Sequence, residues 1–279
     1  MRSTASIEPL VISCPSLPAD FENIRILHIS DLHLTRWTRR AADLATKLKG
    51  IKPDLLAITG DLGHRSWRWK TSLSSIERLL QPVTAPLGRY FILGNHDASE
   101  MIAALEQRGF TPLMNRSHWL RRGRSRLALV GLAQHKRIDT DIPAALTNVP
   151  PDAFKLMLMH YPDFIHAAAA AGVNICLAGH THGGQICYPD GKPIIRHDVL
   201  PNYMCTGVHR VGETWLVVNR GVGKAGLRVR MFCPPHVIVL RLQRGVENVQ
   251  PDILSNRVNH FPATTHMGKG ATIEITVGR

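Results

Sequence analysis

The chain has 279 residues, of which 44% are hydrophobic, so it suits one large domain or two small ones and excludes wholesale disorder. Its formal net charge of +13 favours anionic partners such as phosphates, nucleic acid or an acidic membrane surface. No run approaches the ~20 apolar residues of a membrane-spanning helix, and Glu8 and Pro9 interrupt the segment where a signal peptide is apolar. The five cysteines form no CxxC pair, which favours a reducing compartment. We therefore expect a cytoplasmic protein without a membrane span.

Five short apolar runs, each ending in polar residues, predict buried strands. In chain order they are IRILHIS (24–30), DLLAIT (54–59), RYFIL (89–93), KLMLM (155–159) and VNICLA (173–178). Helical patterns at 39–50 and 98–109 lie between the early runs. This alternation predicts an α/β fold, in which ligand sites lie outside the carboxyl ends of the strands.

The remaining elements are predicted with less regular spacing. Residues 117–133 fit a hairpin around Gly123, and 214–221 and 236–242 fit later strands. The pattern fades after Gly245, and 271–279 is at most one isolated strand. We therefore divide the chain into an N-terminal lead segment (1–20), one folded domain (21–244) and a peripheral C-terminal tail (245–279).

Every one of the five apolar runs is followed by Asp, Asn or His. Residues two apart at an extended strand end point the same way, so paired side chains can reach one site. The mixed oxygen and imidazole donors suit two divalent cations such as Mn, Fe or Zn. Candidate ligands are Asp31, His33, Asp61, Asn95, His160, His180 and His182.

Asp61 is the candidate for a ligand shared by both cations. Two cations ~4 Å apart repel each other, so a bridging carboxylate is expected between them. Asp61 stands alone after its strand, whereas the other motifs bring partners. Gly183 and Gly184 follow the last candidate ligand, where we expect a side chain to crowd a substrate phosphate or strain the turn.

The motifs DLH, GD, GNHD, H and GHTH, in this order over about 24–185, resemble the calcineurin-like metallophosphoesterase superfamily. HTHGGQ, VVNRGVG (217–223) and RMFCPPHVIVLRL (230–242) are similar to the YkuE/YaeI-like bacterial phosphodiesterase branch. That branch includes enzymes assigned as UDP-2,3-diacylglucosamine pyrophosphatases of lipid A synthesis. The chain differs from it at His236, where Glu is frequent, and at Gln134, where Asp is common.

The resemblance implies a four-layer α/β/β/α sandwich with a dimetal site at one edge, and it makes 21–244 the catalytic domain. It implies that His96 is the catalytic histidine near the leaving group and that Asp97 orients it. We also expect Gly183, Gly184 and Arg220 to contact the substrate. One metal is expected on Asp31, His33, Asp61 and His182, and the other on Asp61, Asn95, His160 and His180.

Two basic, tryptophan-containing segments leave the predicted strand ends: TRWTRR (35–40) and HRSWRWK (64–70). They can be a solvated basic face whose tryptophans enter the core. They can instead bind anionic lipid headgroups, or nucleic acid with tryptophans stacked on bases. In the latter two cases, Arg36, Arg65, Trp67 and Arg68 are the expected substrate-binding residues.

The sequence thus predicts a dimetal phosphodiesterase or pyrophosphatase that acts on an anionic, lipid-linked nucleotide such as UDP-2,3-diacylglucosamine. It is expected in the cytoplasm, with peripheral contact to the inner membrane surface. A cyclic nucleotide phosphodiesterase or nuclease of the same superfamily is the alternative, and a non-catalytic scaffold is a remote one. The oligomeric state stays open.

Overall fold

The computed structural model describes residues 4–64, 69–194, 199–227 and 229–251. In this part of the chain, thirteen strands form two mixed sheets that face each other. Across the described residues, no helix combines the length and the hydropathy that crossing a bilayer requires.

The first sheet has the strand order β13-β1-β12-β2-β3-β4-β5. Strands β2 to β5 run parallel, β12 runs antiparallel to β2, and β1 runs parallel to β12. Its members are β1 (Ser6–Ser13), β2 (Arg25–Ile29), β3 (Leu55–Thr59), β4 (Arg89–Ile92), β5 (Thr111–Pro112), β12 (His236–Gln243) and β13 (Asn248–Pro251).

The second sheet has the strand order β10-β11-β9-β8-β7-β6. Its four central strands run parallel, and an antiparallel strand lies at each edge. Its members are β6 (Arg116–Arg122), β7 (Ser125–Gly131), β8 (Lys155–Leu158), β9 (Ile175–Ala178), β10 (Gly207–Val211) and β11 (Thr214–Val218).

Helices cover the outer face of each sheet. Strand β3 shows the layering: Leu55 and Ala57 pack between the sheets, while Leu56 and Ile58 pack under the helices. Both faces of the strand are buried, which explains its continuous apolar sequence. The helices are α1 (Arg39–Leu48), α2 (Trp69–Leu80) and α3 (Met101–Glu106) on the first sheet, and α4 (Ile142–Ala145) and α5 (Ile165–Ala170) on the second.

The four-layer α/β/β/α sandwich expected from the sequence is therefore confirmed. All five predicted strands are present, with ends within two residues of the predicted bounds. The hairpin around Gly123 is also present, as β6 and β7.

The two ends of the described chain extend the first sheet beyond the predicted domain. Strand β1, from the predicted lead segment, lies between β12 and β13, and β13 comes from the predicted tail. The apolar pattern of β1 was hidden because Glu8 and Pro9 interrupt it. The domain division remains a prediction, and the strand predicted at 271–279 lies outside the described residues.

Candidate metal centre and active site

The carboxyl ends of β2, β3 and β4 in one sheet meet those of β8 and β9 in the other. The loops after β2 and β3 are tied by backbone bonds from Asp31 N to Gly60 O and from His33 N to Asp61 O, both 3.0 Å. Bonds between the sheets complete the site. The amide of His180 donates to Asp31 Oδ2 at 3.0 Å, and His160 Nδ1 donates to Thr59 O at 2.8 Å.

Asp31, His33 and His182 form the first cluster of potential metal ligands. The Nε2 atoms of His33 and His182 lie 3.0 Å apart, and His182 Nε2 lies 3.5 Å from Asp31 Oδ1. Burial lowers the pKa of His33 well below its usual value, and the nearby charges of His96 and His64 lower it further. The imidazole is therefore neutral, which is the form that binds metals.

Asp31, Asp61 and His160 form the second cluster. Because His160 Nδ1 donates its hydrogen to the carbonyl of Thr59, Nε2 is the ring nitrogen left to bind a cation. That atom lies 3.1 Å from Asn95 Oδ1 and 3.6 Å from Asp61 Oδ2. Three acceptors converge here, so a cation between them satisfies all three.

The buried carboxylates make the site strongly selective for positive charge. Burial raises the pKa of Asp31 to about 7, with the His160 charge opposing this shift and Asp61 adding to it. Burial also raises the pKa of Asp61 well above its usual value, and neighbouring Asp97 adds to the rise. Two carboxylates this deeply buried need compensating cations to remain ionised together.

The structure brings the seven predicted ligands to one region, and five of them form the two clusters that could hold a metal ion. Asp31 is common to both clusters. Asp61 also lies between them, since its Oδ2 is 3.4 Å from His33 Nε2 and 3.6 Å from His160 Nε2. The ring of His180 packs 5.0 Å from that of His160. The assignment of each ligand to one metal, and the bridging role of Asp61, remain predictions.

Five of the candidate ligands have left-handed backbone conformations. The φ angles are 50° at Asp31, 45° at His33, 53° at Asp61, 71° at His180 and 52° at His182. Non-glycine residues rarely adopt positive φ, and such residues cluster at functional sites because surrounding structure must hold them there. Each of these turns redirects the chain immediately after a strand, so that the side chain enters the site.

His96 is half-buried beside the clusters. Its ring lies 5.2 Å from that of His33 and is stacked 5.2 Å from that of His64. Its backbone N–H donates to Asp61 Oδ1 at 2.9 Å, which ties the histidine loop to the candidate bridging residue. Burial lowers the pKa of His96, and the charges of His64 and His160 lower it further.

Asp97 has a different position from the one that the sequence suggested. Its carboxylate accepts hydrogen bonds from the backbone N–H groups of Gly63 at 2.8 Å and Gly94 at 3.0 Å. It therefore holds two ligand-bearing loops together rather than bonding the imidazole of His96. The backbone turn at 94–97 points the buried carboxylate back toward its own loop, so any orienting effect of Asp97 on His96 acts through the loop and remains a prediction.

Arg220, a predicted substrate contact, is bound within the protein. Its Nη2 lies 2.7 Å from Glu8 Oε2 on β1, and its backbone N–H donates to His236 Nε2 at 2.8 Å. His236 therefore carries its hydrogen on Nδ1, which donates to Glu8 at 2.5 Å. This half-buried network engages Nη2 of the guanidinium with a carboxylate of the protein itself, and contact of Arg220 with substrate remains a prediction.

The glycines after His182 lie in a packed turn. Gly183 has a φ of 61°, and a Cβ added there would lie 2.7 Å from Arg220 Cγ and 2.9 Å from Cys233 Sγ. Gly184 is buried with a φ of 81°. A side chain at Gly183 therefore meets protein before it meets substrate. We now expect substitution there to reduce stability as well as activity.

The tryptophan-containing segments are only partly described. Arg36 is exposed, whereas Trp37 packs against the helical layer with Arg78 over its ring at 4.2 Å. Trp69 begins α2 and packs against the same core, so it does not lie on a loop. Arg65, Trp67 and Arg68 lie outside the described residues.

Sequence reasoning missed Arg230, which holds the backbone of two segments beside the metal ligands. Its guanidinium donates to the carbonyls of His182 at 3.1 Å, Arg220 at 2.6 Å and Gly223 at 2.8 Å. Nη2 also lies 3.1 Å from His182 Nδ1. The loop that Arg230 holds is tied in turn to Asp31, because Gly223 N donates to Asp31 O at 2.7 Å. In the sequence, the one signal of this role is that Arg230 is a charged residue among apolar neighbours.

Gln134 has a comparable role on the other side. Its Oε1 accepts from the backbone N–H groups of His160 at 2.5 Å and Tyr161 at 3.0 Å. The side chain is fully buried. The oxygen therefore fixes the turn that carries His160, which an aspartate could also do.

Comparison with known proteins agrees with the family resemblance of the motifs. Residues 24–184 match the calcineurin-like phosphoesterase family. The metallophosphoesterase YkuE of Bacillus subtilis is 31% identical over 236 residues, covering 81% of this chain and 82% of the relative. Escherichia coli phosphodiesterase YaeI is 29% identical, covering 78% of this chain and 82% of the relative. Chlamydia muridarum UDP-2,3-diacylglucosamine pyrophosphatase LpxG is 27% identical, with coverage of 81% and 86%.

Arg230→Gln is expected to destabilise both the fold and the metal centre. The substitution leaves several buried carbonyl groups without a donor, which costs about 3 kcal/mol of unfolding free energy. Arg230→Lys is expected to recover only part, because an ammonium cannot reproduce the planar fork. Denaturant melts and elemental analysis measure the two effects, with exposed Arg244→Gln as control. Wild-type stability and metal content in Arg230→Gln would contradict this role.

Proposed function

Because the chain belongs to the calcineurin-like phosphoesterase family and is therefore a metal-dependent phosphoric ester hydrolase, we propose that it cleaves phosphodiester or diphosphate bonds at the clusters around Asp31 and Asp61. The observation that carries the proposal is the convergence of the acceptors of Asp61, Asn95 and His160 at one buried point. Such a point favours a cation over any neutral ligand.

The chain's own residues hold and orient the reacting groups. We assign one divalent cation to Asp31, His33, Asp61 and His182, and the other to Asp61, Asn95, His160 and His180. Such a pair of Mn, Fe or Zn ions would supply Lewis acidity that activates water and neutralises phosphoryl oxygens. The protein keeps these ligands in place through Asp97, Gln134 and Arg230.

His96 is the residue proposed to act on the leaving group. It is half-buried, so its imidazole borders the metal clusters and also reaches solvent. Its lowered pKa favours the neutral ring, which retains one N–H donor for a developing negative charge on the leaving oxygen. The Asp61 carboxylate positions it by accepting the hydrogen bond from its backbone N–H.

The proposed substrate is an anionic, lipid-linked nucleotide such as UDP-2,3-diacylglucosamine, cleaved at its diphosphate. Three features support it: the net charge of +13, exposed Arg36 near the site, and the 27% identity to LpxG. The five free cysteines fit action in the reducing cytoplasm. Of the predicted substrate contacts, Arg36 remains the most accessible described residue, while Gly183, Gly184 and Arg220 act through packing.

A substrate panel tests this proposal. It contains bis-p-nitrophenyl phosphate, UDP-2,3-diacylglucosamine, a cyclic nucleotide and single-stranded DNA, each assayed with added Mn. Faster turnover of the UDP-lipid than of the other substrates supports the lipid-linked assignment. Preference for the cyclic nucleotide or DNA replaces it with the alternative activity, and hydrolysis of none of the four contradicts the proposed phosphoesterase chemistry.

Asp61→Ala is expected to lose both metals together. The carboxylate lies within 3.6 Å of ligands from both clusters, so its removal weakens both positions. Elemental analysis of the purified variant measures the metals per chain, with exposed Glu213→Ala as control. Two metals retained by Asp61→Ala would refute the bridging role.

His96→Ala is expected to retain its metals while kcat falls by about 10²–10⁴-fold, the range for a positioned acid–base group. Metal retention is expected because the bond to Asp61 comes from the backbone of His96, which alanine preserves. Turnover and metal content are measured together, with the distant imidazole variant His118→Ala as control. Metal loss equal to that of His180→Ala would identify His96 as a ligand instead.

A further inference from the structure

Two loops beside the metal centre expose apolar side chains to solvent. One loop follows the Gly183–Gly184 turn and the other follows the Gly221–Gly223 segment. We call their exposed apolar side chains the apolar loop surface: Tyr188 (56% exposed), Ile194 (47%), Leu227 (57%), Val229 (55%), Met231 (43%) and Phe232 (57%). Contiguous exposed apolar patches on soluble proteins mark interaction sites.

Backbone bonds join the two loops into one structure. Cys187 N donates to Met231 O at 2.9 Å, and Met231 N donates to Gln185 O at 3.0 Å. Ile194 N donates to Ile186 O at 2.9 Å, so the later part of the first loop is hydrogen-bonded to its earlier part. The side chain of Gln185 donates to the carbonyl of Leu227 at 2.7 Å. The two loops that carry the apolar loop surface are therefore held together as one structure.

The apolar loop surface adjoins the metal centre because successive residues of one segment point alternately inward and outward. Arg230 turns inward, where it contacts His182, while its neighbours Val229 and Met231 are exposed. Successive residues of an extended chain point to opposite sides. The same few residues therefore face the candidate metal ligands on one side and solvent on the other.

Phe232 gives a second, independent indication. Its φ is 51°, a conformation that bulky side chains rarely adopt and that glycine or asparagine adopts more easily. The residue is nevertheless 57% exposed, so its side chain is not part of the core. A turn alone favours a smaller residue here. The exposed aromatic side chain therefore points to a role outside the fold.

Basic residues lie near the apolar loop surface. Arg36, Arg39 and Arg40 are exposed at the start of α1. Lys224 follows Gly223, which packs on Leu32 and His33 of the loop that leads to α1, and the charge of Arg40 acts on it. An apolar surface beside clustered cations is typical of proteins that bind at the interface of anionic membranes.

We propose that the apolar loop surface docks the enzyme on an anionic lipid bilayer, with its apolar side chains among the acyl chains and Arg39, Arg40 and Lys224 on the headgroup phosphates. A second copy of the chain fits less well, because it brings the same basic residues against each other. Docking on this surface presents the metal centre to a lipid-linked substrate, so its purpose rests on the proposed function. Arg39 and Arg40 belong to the tryptophan-containing segment 35–40 that was predicted for this role, whereas Trp37 and Trp69 pack against the core and the apolar contacts come from the two loops instead.

Sedimentation with vesicles of stated composition tests the docking. The wild-type chain is expected to sediment with phosphatidylcholine vesicles that contain phosphatidylglycerol and to remain in the supernatant with pure phosphatidylcholine. Salt is expected to weaken the binding, because surface charges are screened within about 10 Å at 0.1 M. Failure of the wild-type chain to bind the anionic vesicles overturns the proposal.

The double variant Met231→Ser/Phe232→Asn separates docking from folding. Asparagine tolerates the positive φ, so we expect an unchanged or higher melting temperature while vesicle affinity falls about tenfold or more. Ile138→Ser/Val246→Asn is the matched control, because these two side chains are 88% and 90% exposed elsewhere. Equal vesicle affinities for the two variants overturn the proposal.

A charge variant and an oligomer measurement complete the test. Arg39→Glu/Arg40→Glu places acidic residues at the first turn of α1, which favours the helix, and it is expected to weaken anionic vesicle binding. Retention of full vesicle binding overturns the proposal, as does light scattering that shows a dimer dissociated by Met231→Ser/Phe232→Asn. Hydrolysis of bis-p-nitrophenyl phosphate is expected to stay at the wild-type rate in all variants. A loss of vesicle binding can therefore be distinguished from a loss of catalytic activity.

Discussion

The burial of the Asp31 and Asp61 carboxylates at one point is the constraint on which this structure depends. Neither side chain has more than 1% of its surface exposed, and each raises the cost of ionising the other. Without cations, such a cluster opposes folding. The surrounding protein must therefore hold the carboxylates, neutral imidazoles and amide in place against both repulsion and desolvation.

The sandwich meets this constraint by making the ligands part of the contact between its sheets. The amide of His180 from the second sheet bonds Asp31 of the first, and the ring of His160 bonds the end of β3. Buried Asn219 adds a further link, since its side chain donates to His28 O at 3.0 Å and accepts from Gly221 N. Gly221 in turn packs so closely on Asp31 that a Cβ would lie 2.5 Å from the Cβ of Asp31. A shift between the sheets therefore changes the metal centre directly.

The sequence predicts the central strands and brings the candidate ligands to their carboxyl ends, because both follow from local patterns. An apolar run buried on both faces is continuous, as in β3, and its polar successor Asp61 marks the carboxyl end. Contacts between segments that are far apart in the sequence do not follow from local patterns. Arg230 joins His182, which is far from it in the sequence, to the segment 220–223, and the carboxylate of Asp97 bonds Gly63 instead of its sequence neighbour. Trp37 and Trp69 resemble surface residues in a basic stretch, yet helix packing covers them.

Strand β1 has a consequence for how the chain acquires its structure during synthesis. It pairs in parallel with β12, so that Ser6 lies opposite His236, and its other neighbour is β13. Units such as β2-α1-β3 join segments close in sequence and can form while translation continues. β1 has to wait in the growing chain, with Val11 and Ile12 uncovered, until the ribosome has delivered both partner strands. Pairings of such high contact order form slowly and leave apolar segments exposed to chaperones and to aggregation. Strand β1, which is synthesised before the other described strands, is thus among the last to enter its sheet.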